Sequence, residues 1–157
     1  MDSQVVQLED EIVKITETVW SSTFGALITR GPVKNTPVGS PFLTTCIQIT
    51  GTWEGTMVLE CSVDHGRQLA ATMFGMEATA VSQTEMHDAV GEVINIIGGN
   101  IKSLLPAPSQ LSLPSIAEGA SYHVTIPSST LLHEMDFDDA GNILRIRLFK
   151  SIRAGHV

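Results

Sequence analysis

Apolar residues near the start of the chain fall at Val5, Leu8, Ile12, Ile15 and Val19, in steps of three and four. That is the spacing of one face of an α-helix. Val6, Val13, Trp20 and Leu27 widen the stripe, which predicts a long helix covered on more than one side. Asp2 or Ser3 can cap it, Glu9, Asp10 and Glu11 lie towards the positive end of its dipole, and Gly31-Pro32 ends it. After a stretch punctuated by Pro32, Pro37, Gly39 and Pro41, the runs FLTTCIQIT and GTMVLECSV read as strands joined by GTWEG. Ser62 caps a short helix over DHGRQLAATMF, which Gly75 terminates.

The next helix has the clearest entry signal. Ser82-Gln83-Thr84-Glu85 is a capping box, in which the hydroxyl and the carboxylate each satisfy an otherwise orphaned amide. The pattern predicts a helix over residues 82–105, stopped by Pro106 and Pro108. LSLPSI, SYHVTIP, TLLHEMDF and NILRIRLF then read as strands, the last two joined as a hairpin by DDAGN. The order is helix, two strands, two helices, then three or four strands. Without regular βαβ alternation, this predicts a two-layer α+β fold with helices on an extended, mostly antiparallel sheet. No second domain or repeat is visible, so one domain over residues 1–157 is expected.

Composition narrows the partners. The 157 residues are 43% apolar, enough for one substantial core, and carry a formal net charge of −8. An acidic balance argues against nucleic acid and anionic membranes, which select Lys/Arg-rich faces. No apolar run approaches the roughly 20 residues of a membrane span. The start MDSQVVQLEDEIVK lacks the basic and apolar regions of a signal peptide, so the expected compartment is the cytoplasm. The sequence leaves a disulfide between Cys46 and Cys61 open, but two buried free thiols fit that compartment better.

Familiar catalytic signatures are missing: no GxxxxGK, GxGxxG, GxSxG, CxxC or HExxH occurs. His123 and His133 fall in strand patterns, where a structural or solvent-facing role is the commoner one. Asp136, Asp138, Asp139 and Gly141 faintly resemble a calcium loop, but Ala140 and Arg147 stand where oxygens are needed. The segment reads as a hairpin turn.

The helix over residues 82–105 remains. Val90, Val93, Ile94, Ile97, Ile101 and Leu104 form one apolar stripe, with Asp88, Glu92, Asn95 and Gly99 on the opposite side. Glu92 and Asn95 are three apart, so their Cβ atoms are roughly 5–6 Å from each other. Gly98 and Gly99 lie consecutively in the helix and Gly91 adds a third, although each costs about 1 kcal/mol relative to alanine. One or two of these can admit close packing from below. Gly99, on the outer side, leaves space beside Asn95 for a partner's backbone. On spacing alone, Glu92 and Asn95 read more readily as ordinary surface residues, because a single Glu-x-x-Asn arises easily by chance.

DAVGEVINIIGGNIKSLLP, with Asp88, Glu92 and Asn95 in a D-x-x-x-E-x-x-N pattern, resembles the CheX/CheC/FliY family of bacterial chemotaxis phosphatases. The LSLPSIAEG segment containing Pro114, the element order and the length are similar too. The resemblance implies a CheC-like α+β fold and dephosphorylation of a phosphorylated CheY-type response regulator. It implies that Glu92 makes an ionic contact with the regulator's active-site lysine, and that Asn95 reaches in beside the phosphoaspartate. It also implies a homodimer; the lack of clustered His/Cys ligands or a nucleotide loop predicts no metal or cofactor in this chain, a divalent ion (Mg2+) being expected in the regulator. CheC-type members carry a second motif on an early helix; here Glu17 is followed three residues later by Trp20, so one site is expected, as in CheX. Two other readings stay open: a non-catalytic domain that docks a receiver through the same face, and an unrelated oligomerisation domain.

Overall fold

Helix α1 spans Ser3–Val19 and widens into a π-helical turn over Trp20–Phe24. The computed structural model describes residues 3–32 and 40–152, excepting the side chains of residues 3–6. Ile12 and Trp20 are fully buried, and the Trp20 ring tilts against Phe24 with centroids 5.1 Å apart. The helical run ends at Gly25, six residues before the expected Gly31-Pro32. Gly25 adopts φ 60°, ψ 29°, and its N–H donates back to Ser21 O. This left-handed geometry is open to glycine at little cost and closes a helix. Leu27 therefore lies beyond the helix, 89% exposed, and not in its apolar stripe. Ser3 is already helical, and the alternative cap Asp2 lies outside the described residues, as do Pro37 and Gly39.

The short strand β1 (Thr29–Arg30) was not expected from the sequence. Strands β2 (Phe42–Gly51) and β3 (Gly55–Ser62) form the expected pair, with Leu43 opposite Cys61 and Ile47 opposite Met57. Helix α2 (Val63–Phe74) is capped by Ser62 and closed by Gly75. Helix α3 covers Gln83–Lys102. Strands β4 (Ser109–Leu111), β5 (Ser115–Gly119), β6 (Ser129–Asp139) and β7 (Asn142–Ser151) complete the chain. They form a seven-stranded sheet in the order β1-β6-β7-β3-β2-β4, with β5 also paired to β2 and all pairs antiparallel. This is the expected α+β architecture of helices on an antiparallel sheet.

Two strand expectations are corrected. LSLPSI is not one strand: β4 and β5 share the outer side of β2, and the chain leaves the ladder at residues 112–114. Pro114 has no N–H to give to the ladder. SYHVTIP forms no strand. The Tyr122 side chain holds that segment instead, its ring stacked on Phe42 at 4.4 Å and its hydroxyl 2.8 Å from Thr44 Oγ1. His123 is consequently exposed in a loop, whereas His133 lies in β6 as expected, buried, with Nδ1 3.6 Å from Glu9 Oε2.

Alternation divides the two sheet faces. Ile47, Met57, Leu59, Phe137, Leu144 and Ile146 are fully buried beneath the helices. The opposite face carries ion pairs across neighbouring strands: Arg145 Nε meets Asp136 Oδ1 at 2.7 Å, and Arg147 bridges Glu134 at 2.7 Å and Glu60. In the hairpin turn the Gly141 N–H donates to Asp138 Oδ1 at 2.7 Å. Cys46 and Cys61 are free thiols, and burial, reinforced by the Glu60 charge, pushes Cys61 up to about 12.

Candidate functional site

Helix α3 is built to be rigid and to keep one face open. At its start, Ser82 Oγ accepts from the Glu85 N–H at 3.1 Å, and Glu85 Oε1 accepts from the Ser82 N–H at 3.0 Å. The backbone hydrogen bond from Ser82 holds the Glu85 carboxyl below its ordinary value. Met86, Val90, Val93, Ile94, Ile97 and Ile101 are at most 1% exposed and fasten the helix to the core. The helix ends at Lys102, three residues short of the expected Leu105. Ser103 Oγ donates to Asn100 O at 2.6 Å, and the Leu104 and Leu105 N–H groups donate to Ile101 O and Lys102 O at 2.9 and 3.1 Å, so tight turns take up the last carbonyls. Leu104 accordingly leaves the stripe and is 46% exposed.

Asp88, Glu92 and Gly99 are exposed, on the side the periodicity assigns to them, and Asn95 is half-buried. The difference has a geometric cause. At about 100° per residue, Asn95 lies only about 40° from Gly91 and about 60° from Gly98. Both glycines face neighbouring chain. A methyl group on Gly91 would sit 3.3 Å from Pro114 Cγ; one on Gly98 would sit 3.5 Å from Met57 Cε and 3.7 Å from Leu111 Cδ1. Gly98 thus brings the helix down onto the sheet, and Gly91 admits the loop between β4 and β5. Gly99 has nothing within 4 Å. Of the three glycines, it alone opens onto solvent.

The segment packed along α3 is tied in place. His87 Nε2 lies 2.9 Å from Glu118 Oε1, and Gln83 Nε2 donates to Glu118 Oε2 at 3.4 Å, linking α3 to β5. Ser112 replaces one step of the broken ladder: its N–H donates to Gln48 O and its Oγ accepts from the Gln48 N–H, both at 2.9 Å. Between these ties Leu113 stands 88% exposed. Sequence reading missed that residue because it placed Leu113 inside a strand; the available signal was the proline directly after it.

The arrangement is a carboxylate and a carboxamide on an outward helix face, not a pocket. A cavity of about 460 Å³ lies elsewhere, against Trp53, Pro106 and Lys150. Among the described residues no three His, Cys, Asp or Glu side chains converge to hold a metal ion. None of the described helices is long and apolar enough to cross a membrane. An open face of this kind can position a group on another macromolecule, but it cannot enclose a small substrate.

Comparison with known proteins bears on what that macromolecule is. No curated protein matches the sequence significantly. The fold is similar to that of the chemotaxis protein CheX from Desulfovibrio desulfuricans, at 19% identity over 92% of this chain and 99% of that one, with a TM-score of 0.74. A CheC-like superfamily protein from Shewanella sp. PV-4 gives 15% identity, 96% and 99% coverage and a TM-score of 0.75. A third similar structure, from Borrelia burgdorferi, is a complex of CheX with CheY, BeF3 and Mg2+; it gives 15% identity, 92% and 97% coverage and a TM-score of 0.68. Identities this low speak for the fold alone. The family model described as chemotaxis phosphatase CheX matches residues 43–138, more than half of the chain and all of α3, and on that match the chain belongs to the CheX family.

Proposed function

We propose that this protein hydrolyses the aspartyl-phosphate of a CheY-type response regulator, with Asn95 orienting the attacking water and Glu92 anchoring the regulator's lysine. The observation that carries the reading is the pairing of an exposed Glu92 with a half-buried Asn95 on the outward face of a rigid helix. The family supplies the reaction class, and its Borrelia member is captured with CheY, BeF3 and Mg2+.

The chemistry suits these side chains. Water attacks phosphorus, the bond from phosphorus to the aspartyl oxygen breaks, and the products are inorganic phosphate and a free carboxylate. Such a transfer asks chiefly for positioning and charge neutralisation. The regulator brings the divalent ion and the lysine; this chain needs no cofactor of its own. What it adds is a carboxamide, which offers both donor and acceptor and can hold water in line without placing negative charge near the phosphoryl oxygens. Glu92, one helical step away, suits a charge-assisted contact with an ammonium group. Asp88, a turn earlier, adds to the acidic face, and Gly99 leaves room for the partner's backbone. We further propose a homodimer acting in the cytoplasm, the 157-residue chain forming one domain with one site.

The test is phosphate release from a phosphorylated CheY-type receiver, alongside binding to the same receiver carrying beryllofluoride and Mg2+. Asn95→Ala removes the water-orienting amide and should lower turnover about 10²-fold, the scale of mispositioned reactants, with little change in binding. Glu92→Lys should weaken binding itself, more so at low salt. Wild-type turnover in Asn95→Ala would remove the catalytic assignment of Asn95, and receiver binding without phosphate release from the wild type would leave a receiver-docking domain. Absence of any receiver binding would leave only an oligomerisation role.

A further inference from the structure

We propose that Leu113 is an apolar anchor for the partner, seated beside Asn95; this rests on the phosphatase reading of the α3 face. The inference comes from how segment 111–114 runs along the helix. Leu111 faces Gly98, and Pro114 faces Gly91. Those glycines are seven residues apart, about 10.5 Å along the helix axis, and three extended residues cover about the same length. The segment therefore runs antiparallel to α3, and Leu113 lies level with the helical turn that carries Asn95.

A single exposed leucine is ordinary on a protein surface. This one is held there. Ser112 is bonded twice to Gln48, its Oγ also donates to Leu113 O at 2.9 Å, and Pro114 is lodged against Gly91. A pinned backbone on both sides presents the side chain outwards at 88% exposure, so little ordering entropy is lost when a partner covers it. The occupant that fits is a receiver surface with a basic group to meet the Asp88 and Glu92 carboxylates and an apolar patch beside it. Covering Leu113 would also shield the Asn95 flank from bulk water while leaving room for the single water that reacts.

The experiment compares wild type, Leu113→Ser and Leu113→Met against a CheY-type receiver loaded with beryllofluoride and Mg2+ for binding, and phosphorylated for turnover. Leu113→Ser should raise Kd and KM about 10-fold or more, the scale of losing one buried leucine side chain, while kcat at saturating receiver moves far less. Leu113→Met should restore most of the affinity, and melting temperatures should stay close to wild type because Leu113 has no core contacts to lose. Unchanged Kd in Leu113→Ser overturns the proposal, and it leaves the phosphatase reading intact if Asn95→Ala still slows phosphate release. A shift in self-association with unchanged receiver binding would assign Leu113 to contact between copies of this chain, which also overturns it. No phosphate release from wild type removes the phosphatase reading and this inference together.

Discussion

Gly99 separates stability from function more cleanly than any other position on α3. It lies inside the helix, exposed, with nothing within 4 Å of where a Cβ would stand. Its replacement by alanine therefore meets no steric opposition and gains helix propensity, up to about 1 kcal/mol in a helix interior. Gly99 is within one turn of the helix end at Lys102, where fraying weakens the effect, so about 0.5–1 kcal/mol is the reasonable scale. For a protein of this size that raises Tm by about 1–4 °C. Gly99→Trp should fold as well as wild type, since the indole points into open space. If the partner's backbone occupies that space, the ring must be accommodated in a packed contact at about 1–3 kcal/mol. That corresponds to about 5- to 150-fold in Kd. Calorimetry reads the first effect, and titration with a beryllofluoride-loaded receiver reads the second. A lower Tm in Gly99→Ala would mean that the glycine meets a backbone need unrelated to partners. Wild-type affinity in Gly99→Trp would remove Gly99 from the interface.

Other expectations can be checked independently. Asp139 is pushed up by burial, but its hydrogen bond with His65, at 2.6 Å, is among the interactions that outweigh this and leave its carboxyl below the ordinary value. A depressed folded-state value contributes stability that is present above the unfolded value, about 3.9, and is lost as pH falls through the folded one. Asp139→Asn should thus cost about 1–3 kcal/mol at neutral pH, and urea melts should show this difference shrinking from pH 5 to pH 3; a constant difference would refute the assignment. Cys61, buried and pushed up to about 12, should resist Ellman's reagent until the protein unfolds. Cys46, half-buried and also raised by burial, should react first, and equal rates in the native state would contradict this. Sedimentation at micromolar concentration should give a homodimer, and a monomer would count directly against it.

Local signals carried much of the architecture. The capping box at Ser82, the Ser62 cap, Gly75 and the alternation in β2, β3, β6 and β7 are short-range features whose physics is complete within a few residues. The same holds for the α3 stripe, so the outward placement of Asp88, Glu92 and Gly99 was legible from periodicity alone. Two helices had more than one possible ending in the sequence, and only the structure shows which one closes each. Gly25, not Gly31, closes the first helix, and tight turns at Leu104 and Leu105 finish α3 before the prolines do. The sequence also could not say which glycine touches what. Gly91, Gly98 and Gly99 look alike in the chain, and only packing assigns one to Pro114, one to Met57 and one to open solvent. Tyr122 shows the same limit. Its segment alternates like a strand, but stacking on Phe42, eighty residues away, holds it off the ladder. The break at residues 112–114, and with it the exposure of Leu113, depends on how two distant segments meet. Periodicity reports which way a side chain points from its own element; what stands opposite is decided when the elements pack.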